Sequence, residues 1–151
     1  MALKTKRYLL LSIPVIILAA AATGLYLYNK KHFSVEASTP AAEITAAALH
    51  QTFVTDSTLA KNKFIGDEVN HKVIKVEGDI ADIKKDQQGN TIILLKTSTD
   101  GAFINCTLEG KSENIHTGSK IAIKGICTGY NFDADMGIPG DVIVTRCFIV
   151  Q

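Results

Sequence analysis

The stretch VIKVEGDIADIKKDQQGNTIILLKTSTDGAFINCTL, residues 73–108, decides the fold. Apolar residues recur in it at every second position, the period of a strand with one face buried, not at every third or fourth as in a helix. Ile74, Val76, Gly78 and Ile80 share one parity, whereas Ala81 and Ile83 take the other. The expected first strand therefore carries a bulge or kink near Gly78 and Asp79 and can serve two sheets. KKDQQGN, 84–90, has turn composition, and Thr91 to Thr97, with Ile92, Ile93, Leu94 and Leu95, is the second strand. After the TSTDG turn, Phe103 to Leu108 places Ile104, Cys106 and Leu108 on one face and Phe103, Asn105 and Thr107 on the other.

Toward the carboxyl end the alternation continues. Beyond GKSENIHTG, a fourth strand from Lys120 to Thr128 sets Ile121, Ile123, Gly125 and Cys127 on one face, and the loop GYNFDADMGIPGD leads to a fifth strand from Val142 to Val150. Five short strands, a kinked first one and a brief connector between the third and fourth predict a small Greek-key barrel of the OB type over residues 69–151.

Toward the amino end the period becomes helical. Thr39 is placed to cap a helix, with Pro40 at its first position and Glu43 where a negative charge meets the positive end of the helix dipole. A helix over 41–54 and a second from Asp56 or Ser57 to Gly66 form an expected helical lead-in over 40–66, behind a linker over 29–39. Before it, YLLLSIPVIILAAAATGLYLY, residues 8–28, carries no charge and, at about 1.5 Å per residue, reaches roughly 30 Å, the thickness of a bilayer core. Tyr8, Tyr26 and Tyr28 sit at its ends, as in an aromatic belt. Lys4, Lys6 and Arg7 before it, against Lys30 and Lys31 after it, favour a cytoplasmic amino terminus over residues 1–7. The fold class expected is thus mainly β, a five-stranded OB-type barrel preceded by two short α-helices and an N-terminal transmembrane helix acting as a signal anchor. The alternative is a secretory signal cut near Ala22, after small residues at A-x-A spacing. Either way the remainder is exported, and the expected location is the membrane, with the barrel on the extracytoplasmic, periplasmic side.

Charge separates the two parts. Of 16 Lys and Arg, the five at positions 4, 6, 7, 30 and 31 flank the apolar run, leaving 11 against 15 Asp and Glu, a formal charge of −4 for residues 32–151. That sign disfavours a nucleic-acid partner, whose affinity rests largely on Lys and Arg releasing condensed counterions.

Residues 41–151 resemble the tRNA_anti-like family, bacterial OB-fold proteins often found behind an amino-terminal membrane segment. The resemblance lies in a helical lead-in, Val76-Glu77-Gly78 followed by Ile80 and Ile83, and the Asn105-Cys106-Thr107 stretch. It continues in Thr117-Gly118, Lys124-Gly125-Ile126-Cys127-Thr128-Gly129 and Arg146-Cys147-Phe148-Ile149-Val150. It implies an OB fold, and the longer loop over 130–141 departs from a compact member.

The usual OB ligand face is the outer side of the second and third strands. Phe103, Asn105 and Thr107 are the expected ligand-binding residues there, with Lys84, Lys85, Tyr130 and Phe132 at the rims. Single-stranded nucleic acid would want more stacking rings and a basic groove, for which Lys75, Lys84, Lys85 and Lys96 are the available cations. Cys106, Cys127 and Cys147 allow one disulfide plus a thiol, or three buried thiols acting as small hydrophobes; the spacing does not choose a pair. Asn131, Asp133, Asp135 and Gly137 resemble an acidic calcium loop, but Met136 intervenes before the glycine and no Glu follows. A cation there would need Asp141 to join Asp133 and Asp135, and no metal or cofactor is expected. No nucleophile elbow, H-E-x-x-H or P-loop occurs, so no enzyme is expected. A site assembled in space would need a cavity joining His71 or His116 to an acidic residue. The expected function is a membrane-anchored, envelope-facing binding module for a protein, peptide or small polar ligand. A single-stranded nucleic-acid binder and an envelope enzyme are the alternatives.

Overall fold

A computed structural model describes residues 17–26, 33–66, 70–109, 115–132, 137 and 140–150. The chain divides into two compact units, Met1–Phe33 and Ser34–Gln151. In the first, residues 17–26 are helical (α1). Among the described residues no helix is long and apolar enough to cross a membrane. The rest of the expected span, 8–16 and 27–28, lies outside them.

The second unit runs β1 (Ala42–Thr45), α2 (Ala46–Thr55), α3 (Ser57–Phe64), β2 (Val73–Lys85), β3 (Thr91–Lys96), β4 (Phe103–Leu108), β5 (Lys120–Tyr130) and β6 (Val142–Val150). Strands pair in the order β1-β2-β3-β4-β6-β5, and β2 also pairs β5, which closes β2 to β6 into a five-stranded barrel. Its ladders are antiparallel except between β4 and β6. This is the OB connection, and β2 makes it possible. Val73 to Asp79 pair with β5, Ile80 to Lys85 pair with β3, and the register shifts between Ile80 and Asp82. The bulge thus falls one to two residues beyond the expected Gly78–Asp79, where the strand passes from one partner to the other.

One expectation is corrected. The helix does not start at Thr39–Pro40: residues Ala42–Thr45 form β1, parallel to β2 from Ile74 to Glu77. The first half of β2 has β5 on one side only, and β1 satisfies the backbone groups on its other edge, beginning with Ala41 N–H to Val73 O at 2.7 Å. Glu43 bonds to Lys75 across that ladder instead of facing a helix dipole. Thr45, extended at φ −79° and ψ 153°, is the actual N-cap, its hydroxyl accepting from Ala48 N–H at 3.3 Å. Asp56 caps α3 in the same way through Leu59 N–H at 2.8 Å.

The core joins inward residues of every barrel strand, such as Ile80, Ile93, Ile104, Ile123 and Val144, to Leu49, Phe53 and Phe64 of the helices. Each such side chain contributes about 1.5–3 kcal/mol by leaving water. α2 approaches closely because Gly78 has no side chain: a Cβ there would lie 2.9 Å from the Ala46 Cβ and 3.4 Å from that of Leu95. A smaller cluster of Val35, Val73 and Ile126, with Phe148 against it, is separate from this core. Val35 is fully buried in it, and Lys124 Nζ donates to Glu36 O at 2.6 Å, so part of the segment expected as linker is seated on the folded unit.

Candidate functional site

The β3–β4 register fixes which side chains share the outer face. Ile93, Leu95, Ile104, Cys106 and Leu108 are core residues, so Ile92, Leu94 and Lys96 lie outward, opposite Thr107, Asn105 and Phe103 respectively. Across β2 the rows extend to Lys84 beside Ile92 and Asp82 beside Leu94, and across β6 to Ile143 beside Asn105. Phe103, Asn105 and Thr107 are half-buried, as are Ile92 and Ile143. Leu94 is 6% exposed yet belongs to neither hydrophobic cluster. The outer face therefore has an apolar centre with amide, hydroxyl and charged groups around it.

Its electrostatics are balanced. Lys84 Nζ lies 3.5 Å from Asp82, and Lys75 Nζ lies 3.1 Å from Glu43 and 3.0 Å from Glu77. Hydrogen bonds to Glu77 and then Glu43 hold the Lys75 ammonium above its ordinary pKa. Of the four cations available for a basic groove, two thus have carboxylate partners. Lys85, paired in register with Thr91, is the last residue of β2 and exposed.

Tyr130 does not join this face. β5 shifts register between Cys127 and Gly129, so Tyr130 pairs with the inward Val142 and packs against the core. Its ring lies 5.4 Å from that of Phe53, is edge-on to His50 at 6.0 Å and 77°, and is stacked with Phe132 at 6.2 Å. Burial pushes its phenol up, opposed by a bond from the Gly140 backbone. Phe132, 55% exposed, is the outermost member of this aromatic row.

Below the row, His50 of α2 is fully buried, with Nε2 3.0 Å from Gly140 O. The sequence does not single this residue out; its place within the largely apolar α2, next to Leu49, is the one signal that points to it. Because a carbonyl only accepts, Nε2 carries the proton, and Nδ1 has no hydrogen-bond partner among the described residues. The base of the 131–141 loop is closed by Asn131 N–H to Asp141 O at 2.8 Å, and the Asp141 carboxylate accepts from Phe103 N–H at 2.9 Å. That bond links the foot of the loop to the first residue of β4. The Asp141 carboxylate serves the backbone of β4, while Asp133 and Asp135 lie outside the described residues. Among the described residues no group of three or more His, Cys, Asp or Glu could hold a metal ion.

The cysteines point inward. Cys106, Cys127 and Cys147 are buried free thiols in the main core. Elsewhere a cleft of about 420 Å³ is lined by Lys61, Asn62, Ile65, Gly66, Asn70 and Lys72. Lys72 Nζ donates there to Asn62 O at 2.6 Å and to Lys63 O at 3.4 Å, capping the last carbonyls of α3. Among the described residues neither a histidine nor a carboxylate contributes to that lining.

No curated protein matches the chain. Among solved structures, it is similar to one from Klebsiella pneumoniae subsp. pneumoniae, described as a candidate nucleic acid-binding lipoprotein, at 22% identity and a TM-score of 0.46. The match covers 72% of this chain and 91% of that one. A family model described as tRNA_anti-like matches residues 1–138, which takes in the apolar amino-terminal run and stops short of the Arg146–Val150 stretch. With an OB barrel and a family match over most of its length, the chain belongs to the tRNA_anti-like family.

Proposed function

We propose that this protein is a membrane-anchored, envelope-facing OB-fold binding module without catalytic activity, whose outer β3–β4 face takes a protein or peptide segment. The observation that carries this reading is the composition of that face. Ile92, Leu94 and Ile143 make an apolar centre, and Phe103, Asn105 and Thr107 offer an aromatic edge and neutral hydrogen-bonding groups. Apolar centre and polar rim are the anatomy of a protein-recognition patch. A phosphate backbone would instead want unopposed cations, and the carboxylates at Asp82, Glu43 and Glu77 oppose Lys84 and Lys75. The nucleic-acid description belongs to the Klebsiella protein.

The anchor is supported by α1. All ten of its residues are exposed, among them Ile17, Leu18, Leu25 and Tyr26. The Thr23 hydroxyl donates back to Ala19 O at 2.8 Å, which satisfies a polar group as lipid requires. The uncharged run over 8–28 supplies the remaining length.

Both halves are testable on the full chain in intact cells. A photo-crosslinking residue at Asn105 or Thr107 is expected to capture protein, and the same residue at Leu59 of α3 is not. Adducts to nucleic acid at Asn105 would replace this reading with the nucleic-acid one, and equal yields at Asn105 and Leu59 would remove the face altogether. Protease added outside the cytoplasmic membrane should digest the barrel while the amino terminus stays protected.

A further inference from the structure

The TSTDG connection between β3 and β4 is held at its shoulders and open at its tip. The Thr97 hydroxyl donates to Ala102 O at 2.7 Å and accepts from Thr99 N–H at 3.2 Å, and Ala102 N–H donates to Thr99 O at 3.3 Å. Ala102 itself is buried. Asp100 and Gly101, enclosed by these bonds, are exposed and lie in a turn. Gly101 adopts φ +79°, a left-handed conformation that suits glycine, and a Cβ built on it would meet nothing within 4 Å.

Among the described residues the Asp100 carboxylate has no hydrogen-bond or ion-pair partner and the Gly101 N–H has no acceptor. Every other described aspartate lacks this combination. The carboxylates of Asp56, Asp86 and Asp141 accept backbone N–H bonds from Leu59 at 2.8 Å, Gln88 at 2.9 Å and Phe103 at 2.9 Å. Asp82 accepts from Ile83 N–H at 2.8 Å and lies 3.5 Å from Lys84. Asp79 is followed by the fully buried Ile80, whose N–H is bonded to Ser119 O at 2.9 Å. At 100–101 alone among them, an unbound carboxyl precedes an unbound amide on a residue with no side chain to crowd the nitrogen. A tip without such bonds can also rotate in a way that a ladder residue cannot.

We propose that Asp100–Gly101 is a self-modifying site, at which the folded chain converts aspartate to isoaspartate through a cyclic imide. This is independent of the ligand face. The Gly101 amide nitrogen loses its proton to solvent and bonds to Asp100 Cγ, the Cγ–OH bond breaks, and proton and hydroxyl leave as water. Addition of water to the imide then breaks one of its two C–N bonds. Breaking the bond to Cγ restores aspartate. Breaking the bond to the Asp100 carbonyl carbon leaves the main chain running through Cβ and Cγ, with a carboxylate on Cα. Water is the one co-reactant, and nothing is oxidised or reduced. The product carries an extra methylene in the main chain at the turn tip, three residues before Phe103. The bonds among Thr97, Thr99 and Ala102 lie outside the rearranged atoms, so β3 and β4 keep their register and the modified chain stays folded.

The test is to hold the full chain, folded in detergent, in mildly acidic buffer at growth temperature for several weeks, and then digest it with trypsin. The peptide over 97–111, TSTDGAFINCTLEGK, should split into two forms of equal mass. The new form should have lost cleavage by an endoprotease that cuts before aspartate, and a form lighter by one water should precede it. Asp56, Asp79, Asp82, Asp86 and Asp141 should keep that cleavage. Asp100→Glu, which would need a six-membered imide, should abolish the second form. Asp100→Asn, whose neutral amide is a better electrophile than an ionised carboxylate, should yield it sooner in neutral buffer, with release of ammonia. The proposal is overturned if the peptide stays single in the folded chain while the same chain in urea isomerises, or if isomerisation is spread evenly over these aspartates. It is overturned equally if the new form arises only in samples whose far-UV circular dichroism has collapsed.

Discussion

Two glycines four residues apart on β5 should respond oppositely to a single methyl group. At Gly125, an added Cβ meets Val144 Cγ1 at 2.6 Å, Cys147 Sγ at 2.7 Å and Thr145 O at 3.1 Å. The two side chains belong to the core, and the third atom is backbone of the adjacent ladder, so none can withdraw freely. Overpacking of this kind costs roughly 1–3 kcal/mol, and three simultaneous contacts place Gly125→Ala near the upper end, at about 2–3 kcal/mol. At Gly129 nothing lies within 4 Å of the same atom. Gly129→Ala should therefore stay within about 0.5 kcal/mol of the native chain, helped by a less flexible unfolded state. The unit Ser34–Gln151 unfolds with an entropy on the order of 0.25 kcal/mol per degree, so Gly125→Ala should lower Tm by about 8–12 °C and Gly129→Ala by no more than about 2 °C. Reversible thermal and urea unfolding, followed by far-UV circular dichroism on chains kept reduced, measures both. Equal losses for the two variants, or a loss under about 0.5 kcal/mol at Gly125, would refute the close approach of β5 and β6 at this point.

Arg146 sits at φ +52° with its guanidinium on Glu109 at 3.2 Å, an exposed pair contributing under about 1 kcal/mol. Arg146→Gly should therefore be at least as stable in urea as the native chain, whereas Arg146→Val should lose about 1–2 kcal/mol by forcing a β-branched residue into that conformation. His50→Phe keeps an aromatic side chain beside Tyr130 but removes the bond to Gly140 O, so it should cost about 1–2 kcal/mol. In that variant the Asn131 amide should exchange faster by hydrogen-exchange NMR, since its acceptor, Asp141 O, lies in the same loop base. Asp86 accepts bonds from the Asn90 side chain and from the Asn90 and Gln88 backbone, which hold its carboxyl below the ordinary 3.8. Its contribution to the 86–90 turn is therefore in force above pH 3.8 and is lost as pH falls through the lower folded value. Amide chemical shifts of Gln88 and Asn90 should titrate together in that window, and Asp86→Asn should abolish the transition.

The five barrel strands and the outward row were legible because they depend on parity alone, whereas β1 was not. Phe103, Asn105 and Thr107 alternate with Ile104, Cys106 and Leu108 in a strand without interruption, so the sequence suffices to place them on the outer face. Parity fails wherever a bulge intervenes. The shift between Cys127 and Gly129 carries Tyr130 from the outer side to the core, and the one between Cys106 and Leu108 carries Cys147 inward. Neither leaves a mark in residue type, since Thr128 and Arg146 are ordinary strand or surface residues.

The alternation of Val73–Leu108, the lengths of the five barrel strands and the uncharged run over 8–28 are local properties, set by each side chain's partition between water and an apolar phase. From them follow a small barrel behind a greasy segment. What the amino-acid order could not determine is which distant groups meet. The parallel β4–β6 closure, β1 completing the open edge of β2, the Glu43 carboxylate opposing Lys75 and the His50 bond to Gly140 all join residues far apart in the chain. Such contacts arise only when the backbone satisfies its hydrogen bonds around a closed sheet, a condition on the whole ring of strands that no single segment encodes.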